Sequence, residues 1–401
     1  MKFAHIADVH IGAWRDPKMR ELPVDAFQKA VVDALDQKVD FILLCGDLFH
    51  SAIPSVDHLK RVVSILKKPL VADVPVYIIA GSHDFSPSGK TMLDVLEEAG
   101  LVIGVVRGDV TEQGLLRLKF TVDAKTGAKI CGLIGKKGML DRKYYESLDT
   151  KNLEREDGFK IFMFHTSITE LKPKDMEQMD SYPVSFLPRG FDYYAGGHVH
   201  IVERYNGANH HNVIYPGPIF SANFSELEKL SGGGYFIYDD GTITHRSIIV
   251  KRAVPLTIDV DGKDPVAAQE SILNAITSSD VEDAIVLVRI SGRITGGRTT
   301  DVDLRLATER AYERGAYFVL KNSSRLSSEE MDDIHVGHQT AEHIEETLLN
   351  EHAGKISVPF SEREADVAKS LMQALSQEKA DGERQQDYES RVLLAGSSAL
   401  K

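Results

Sequence analysis

Cysteine is nearly absent from this 401-residue chain: Cys45 and Cys131 are the only two, and tryptophan occurs once. So few thiols, one of them ending an apolar run, exclude a disulfide-stapled scaffold and point to buried thiols in a reducing compartment. Long apolar runs are missing as well. None approaches the ~20 residues that span a bilayer, and the first residues pass straight into an apolar run with no leader-like segment. A cytoplasmic protein is the expectation. A basic excess is also lacking, with 60 acidic against 47 basic residues and a net charge of −13. That balance argues against nucleic acid only if it is evenly spread. From Leu326 onward there are 16 acidic and 7 basic residues, whereas the preceding 325 hold 44 and 40. The acidity lies in a tail, and the body remains open to a polyanionic substrate.

What the chain does have is five short polar motifs, each just past an apolar run. Asp8-Val-His10 follows Phe3 to Ala7, and Gly46-Asp47-Leu48-Phe49-His50 follows Phe41 to Cys45. Gly81-Ser82-His83-Asp84 follows Val76 to Ala80, His165 follows Ile161 to Phe164, and Gly197-His198-Val199-His200 follows Phe191 to Ala195. Apolar runs of this length, bounded by glycine and polar residues, read as buried strands. Open α/β sheets gather their sites at the carboxyl ends of such strands. Imidazoles with carboxylates favour manganese, iron or zinc over magnesium or calcium. The combination predicts a two-metal phosphoesterase.

The geometry of the motifs assigns roles. Asp8 and His10 sit two apart, so on extended backbone they face one way and can share a metal; His198 and His200 repeat that spacing. Asp47 is the candidate bridge, one carboxylate oxygen to each ion. His83 is the candidate acid for the leaving oxygen, with Asp84 beside it as an orienting partner. For His5, His58, His210, His211, His245 and the four tail histidines a surface or core position without a role is expected.

Length sets the domain count, because one core rarely serves more than roughly 250–300 residues. Residues 1–250 alternate strands with amphipathic helices at Ala26 to Leu35, Val56 to Leu66 and Thr91 to Ala99, which predicts an α/β layered domain. Later strands at Val213 to Tyr215, Gly234 to Tyr238 and Thr242 to Val250 are expected to form a second sheet packed on the first. Residues 251–326 read as a small α+β capping domain, with helices near 266–277 and 302–314 around a strand at 284–290. Arg289, Arg293 and Arg298 flank a glycine-rich turn there and are candidate phosphate contacts; a charged, solvated edge strand is the alternative. Lys136, Lys137, Arg142 and Lys143 form a second basic cluster open to the same two readings. Residues 327–401 form an acidic linker with helices. Val367, Leu371, Met372 and Leu375 fall on one helical face, which suits either the chain's own core or a partner's groove.

Taken together, the five motifs resemble those of the calcineurin-like metallophosphoesterases. The Gly-Asp-Leu-Phe-His and His-Asp forms narrow the likeness to the Mre-eleven family of DNA double-strand-break repair nucleases, whose bacterial relatives are termed SbcD. The resemblance implies a two-sheet metallophosphoesterase sandwich and two manganese ions per chain, with magnesium, iron or zinc as lesser choices. One ion would take Asp8, His10, Asp47 and His200; the other Asp47, residue 82, His165 and His198. His83 would be the catalytic histidine and His50 a substrate contact. The family usually has Asn where this chain has Ser82, whose hydroxyl is a shorter and weaker donor. The resemblance further implies a Rad-fifty-type coiled-coil ABC ATPase bound by the tail helices and location at the nucleoid. It also implies a homodimer through helices of the nuclease domain, for which the apolar excess at Leu59, Val62, Val63, Leu66, Met92, Leu93, Val95 and Leu96 is the candidate face; the alternative is that both helices simply cover the sheet. The expected activity is manganese-dependent exonuclease and single-strand endonuclease action on broken DNA ends. The alternatives are a small-molecule phosphodiesterase or phosphatase, and a largely non-catalytic DNA-end scaffold.

Overall fold

The structure, a computed structural model, describes residues 1–86, 91–173, 176, 178–230, 232–329, 364–377 and 385–399. It divides into two units, Met1–Glu330 and Met331–Lys401.

In the first unit two six-stranded sheets carry the fold. The first runs Thr242–Ile248, Gly233–Asp239, Lys2–Ile6, Phe41–Cys45, Val76–Ile79, Ile103–Gly104. The second runs Val202–Tyr205, Val213–Pro216, Tyr193–Gly197, Lys160–His165, Lys129–Gly132, Thr121–Val122. Alternation along the strands decides which core each side chain joins. Phe3, Phe41, Leu43, Ile161, Met163 and Tyr193 turn inward and fill the space between the sheets. Ala4, Ile6, Ile42 and Leu44 turn outward and pack beneath helices Pro17–Asp36, Val56–Val71 and Met92–Glu98. Phe162, Phe164, Tyr194 and Tyr215 do the same on the far side of the second sheet, against Tyr145, Leu153 and Tyr182. The layering is helix, sheet, sheet, connecting segments.

Two expectations change. The helix expected at Ala26 begins at Pro17, because Asp16 caps it by accepting from the Lys18 N–H at 2.8 Å and proline suits the first turn. The hairpin Gly233–Asp239 and Thr242–Ile248 joins the first sheet, not the second, pairing antiparallel to strand one (Ala4 opposite Ile237). Strand pairing across more than 200 residues leaves no local trace.

The consequence for the site is parallel order. Lys2–Ile6, Phe41–Cys45 and Val76–Ile79 run parallel in one sheet, and Lys160–His165 runs parallel to Tyr193–Gly197 in the other. Their carboxyl ends meet at one edge of the sandwich.

Residues 253–328 add a three-stranded parallel sheet, Ala253–Asp259, Ile285–Ile294 and Phe318–Ser328, crossed by helices Pro265–Ser278 and Leu304–Glu313. One face, with Leu256, Val286, Val288, Ile290 and Val319, closes on those helices. On the other, Ile285, Leu287, Phe318 and Leu320 join the helix-side core of the first sheet. In the second unit, Glu364–Leu375 and Gln385–Ala399 are helices that pack on each other. The intervening acidic linker lies outside the described residues. Among the described residues no helix is long and apolar enough to cross a membrane.

Candidate metal centre

Five strand ends deliver the ligands, and the backbone bends sharply to do it. Asp8, His10, Asp47 and His198 all sit at positive φ, 52°, 50°, 51° and 95°. Such conformations cost about 1–3 kcal/mol each and persist only where the surroundings over-determine them. Here the bonds that hold them are explicit. The Asp8 and His10 amides donate to the carbonyls of Gly46 and Asp47 at 3.2 and 2.9 Å. The His198 amide donates to both Asp8 carboxylate oxygens, at 3.0 and 3.1 Å.

Two groups of ligand atoms result, each within 4.8 Å of one another: Asp8, His10 and His200; and Asp47, His165 and His198. Asp47 lies between them. Its Oδ2 is 3.1 Å from His165 Nε2 and 3.6 Å from His10 Nε2, while Oδ1 accepts the His83 amide at 2.7 Å. Ser82 stands behind it, with Oγ 3.5 Å from Asp47 Oδ2. A third group combines His10, His50 and His83. There His50 stacks on His83 at 4.8 Å between centroids, and His50 Nδ1 is 3.3 Å from His10 Nδ1.

The donor set fits a pair of divalent cations. His165 gives its Nδ1–H to the Cys45 carbonyl at 2.8 Å, which leaves Nε2 aimed into the centre. That buried nitrogen makes no well-aligned hydrogen bond and faces Asp47 Oδ2 at 3.1 Å, a nitrogen–carboxylate pairing of the kind divalent cations take. Electrostatics agree. Burial opposes charge on His165, but Asp47 and Asp8 together lift it to about 10. Burial likewise opposes charge on His200, and Glu226 and Asp8 raise it to about 9. Burial and the neighbouring His165 push His198 down to about 4. Protons are thus favoured on His165 and His200, beside the carboxylates, and disfavoured on His10 and His198.

Asp84 does not reach the His83 ring. It is buried, and its carboxylate accepts three backbone amides instead: Gly81 at 3.0 Å, Leu48 at 3.2 Å and Phe49 at 2.9 Å. It therefore braces the second and third motifs, and burial with the charge of Asp47 pushes its own carboxyl up to about 7. The His83 ring is oriented by Nδ1, 2.8 Å from the His50 carbonyl oxygen. Orientation through a main-chain carbonyl has no residue-type signature, so sequence could not single it out.

Arg289 is corrected as well. Its guanidinium makes a two-pronged pair with Glu228 at 2.7 and 2.8 Å, so it is a strut rather than an open phosphate contact. Arg293 and Arg298 are exposed, the latter 3.5 Å from Asp301. Lys136 is held over the rings of Phe85 and Tyr144, 4.7 Å from each, and Arg142 pairs with Glu146. His5 sits in the core, bonded to Tyr193 and the Gly196 carbonyl at 3.0 Å each. Glu226 was not foreseen: its Oε1 is 2.9 Å from His200 Nδ1. The available signal was Asn223-Phe-Ser-Glu226, a helix-start pattern that does not advertise a ligand contact.

Of the dimer-face residues, Val62, Leu66, Leu93 and Leu96 are buried, and Leu59, Val63 and Met92 pack against that core; Val95 alone is open, at 52%. In the tail, Val367 is buried, while Met372 and Leu375 are exposed and Leu371 is half-buried.

The comparisons with known proteins give the family. The calcineurin-like phosphoesterase family profile matches residues 1–202. The chain is 26% identical over 271 residues to a DNA double-strand break repair protein Mre11 of Archaeoglobus fulgidus, covering 66% of this chain and 60% of that one. A protein of the same name from Methanocaldococcus jannaschii is 30% identical over 257 residues, covering 60% and 62%. One from Haloferax volcanii is 25% identical over 327 residues, covering 80% and 67%. The chain thus spans about three fifths of the length of the first two relatives. With half of its residues matched and the ligand-bearing strand ends inside that half, this chain belongs to the calcineurin-like phosphoesterase family.

Proposed function

We propose that this chain is a two-metal, manganese-dependent DNA nuclease that processes double-strand-break ends by exonuclease and single-strand endonuclease action. The observation that carries the reading is the pair of buried Asp/His groups on either side of Asp47. The resemblance of the chain to proteins named as DNA double-strand break repair proteins directs it toward DNA. Asp8, His10, Asp47 and His200 would hold one ion, and Asp47, His165 and His198 the other, with Ser82 a weak or water-bridged contributor. Bound there, the two ions would supply positive charge to polarise a phosphoryl group and acidify an attacking water. The chain's own residues do the rest. Asp47 sets the spacing of the two groups, and the His50 carbonyl holds His83 Nδ1 at 2.8 Å, which leaves Nε2 for the substrate. There it gives a proton to the departing oxygen. Arg293 and Arg298 would contact phosphates further along the strand.

The partners follow the same reading: a coiled-coil ABC-type ATPase on the tail helices and a second copy of the chain across the helices near Val56 and Val95. The exposed Ile53, Val56, Leu70, Val71 and Val95 supply the apolar surface for that pairing. Light scattering at micromolar concentration should give a dimer mass, and a monomer would remove that part of the proposal.

The decisive assay gives the purified chain manganese with linear duplex DNA, single-stranded DNA and bis-nitrophenyl phosphate. Degradation of DNA is expected. Turnover of the small ester alone would make the protein a small-molecule phosphodiesterase, and no turnover of either would make it a scaffold.

A further inference from the structure

One ligand of the metal centre is held from outside the strand ends. His200 Nδ1 lies 2.9 Å from Glu226 Oε1, on the six-residue helix Phe224–Lys229. Glu226 is itself pinned: Oε2 accepts the Ala222 amide at 2.8 Å and Oε1 accepts from the Asn223 side chain. A glutamate serving only as a helix-start residue would return to the backbone N–H of the capping Asn223. This one reaches past it and turns an oxygen to the imidazole. With Nδ1–H donated there, His200 Nε2 is presented to Asp8 and His10, 3.8 Å from Asp8 Oδ1 and 3.0 Å from His10 Nε2.

Two residues along, the same helix is gripped from the opposite direction. Glu228 takes the two-pronged pair with Arg289, whose guanidinium also lies 5.0 Å over the Phe224 ring. The pair is mostly sheltered, with side-chain exposures of 17% and 21%. Arg289 belongs to the middle strand of the three-stranded sheet. Residues two apart on a helix point to different sides, so this short helix can touch a metal ligand with one carboxylate and the neighbouring sheet with the other.

We propose that Glu226 is a positioning residue for His200, and that the Glu228–Arg289 pair fixes the helix that carries it, so that the seating of the three-stranded sheet is read at the metal centre. The proposal rests on the metal-centre reading above. Buried carboxylates behind ligand histidines fix ring orientation and tautomer, and their loss typically weakens metal binding about 10–100-fold.

Manganese titration of the full chain by calorimetry, with ester turnover measured against manganese concentration, tests it. Glu226→Ala should weaken one of the two ions about 10–100-fold, read as a shift in both the calorimetric affinity and the manganese concentration that half-saturates turnover. Glu226→Gln keeps an acceptor for the Nδ1–H and should recover most of the loss, which a merely structural defect would not. Arg289→Ala should weaken the same ion by a smaller factor, roughly 3–10-fold, and add nothing in the Glu226→Ala background, because residues acting through one path are non-additive. Unchanged manganese affinity in Glu226→Ala, or an Arg289→Ala effect that adds in full, would overturn the proposal. If the natural chain binds no manganese, the metal-centre reading fails first, and that is read before any variant is made.

Discussion

At the residue scale, the proposed ligands and the proposed proton donor differ in how their rings are held. His165 presents a buried Nε2 to Asp47 Oδ2 at 3.1 Å, whereas His83 is tied through Nδ1 to the His50 carbonyl. His165→Ala should therefore remove one ion and abolish turnover. His83→Ala should keep both ions and slow the reaction about 10²–10⁴-fold. Metal content by plasma emission, with rates on the same preparations, distinguishes the two; loss of ions from the His83 variant would make it a ligand. Protonation gives a second test at this scale. With His165 raised to about 10 and His200 to about 9, both carry protons at neutral pH in the cation-free chain. Metal must displace them. Manganese affinity should rise with pH between 6 and 9, and titration in buffers of different ionisation enthalpy should show release of close to two protons per chain. The sign for the cation-free fold is opposite. A histidine raised from its usual ~6.5 stabilises the folded state fully below that value and loses the contribution as pH climbs toward 9 and 10. Melting temperature of the chelator-treated protein should accordingly fall over that range.

At the scale of elements, the motifs were legible because each side chain with chemistry lies one to five residues past an apolar run, and burial forces that pattern on the sequence. The candidate ligands from Asp8 to His200 were proposed from it, and the fold brings them together in two groups. What could not be read was any contact made by unlike elements at a distance. The Glu226–His200 bond, the Glu228–Arg289 pair and the pairing of Gly233–Asp239 with the first strand each depend on tertiary placement. Asp84 misled for a related reason. Adjacency to His83 suggested a partner, but its buried side chain found amides that the sharp loops had left without other acceptors. The same loops make glycine a requirement. A Cβ at Gly46 would stand 2.2 Å from His165 Nδ1, at φ +82°; Gly114 has nearly the same φ, +79°, with nothing within 4 Å. Gly114→Ala should cost only the backbone strain of a left-handed residue, ~1–2 kcal/mol. Gly46→Ala must also displace the imidazole, and should cost ~3–5 kcal/mol along with one bound ion. Thermal melts with metal analysis check both, and equal costs would mean that the loop yields more easily than its packing indicates.

At the scale of the whole molecule, the chain presents an ion-binding centre in one unit and unsatisfied apolar surface in another. The pairing of Glu364–Leu375 with Gln385–Ala399 uses up part of the apolar stripe, since Val367 and Ala374 are buried. It leaves Met372 at 40% exposure, Leu375 at 65%, and Leu393 and Leu394 at 73% each. Four large apolar side chains on a small helical pair are more than scattered surface residues require, and surfaces of this kind mark protein–protein contacts. They suit an apolar groove or a helical partner, as the proposed ATPase coiled coil would offer. Leu375→Glu with Leu393→Glu alters only exposed positions, where changes usually stay within ~0.5 kcal/mol. The double variant should therefore keep its melting temperature and its manganese-dependent turnover, while its affinity for the ATPase in a pull-down falls at least tenfold. Val367→Glu is the internal control: it places a charge inside the helical pair and should unfold that pair, seen as lost helical ellipticity. If the exposed double variant binds the ATPase as well as the natural chain, the apolar surface of the tail does not receive that partner. If it melts early, those leucines are packing residues and the tail has no free face to offer.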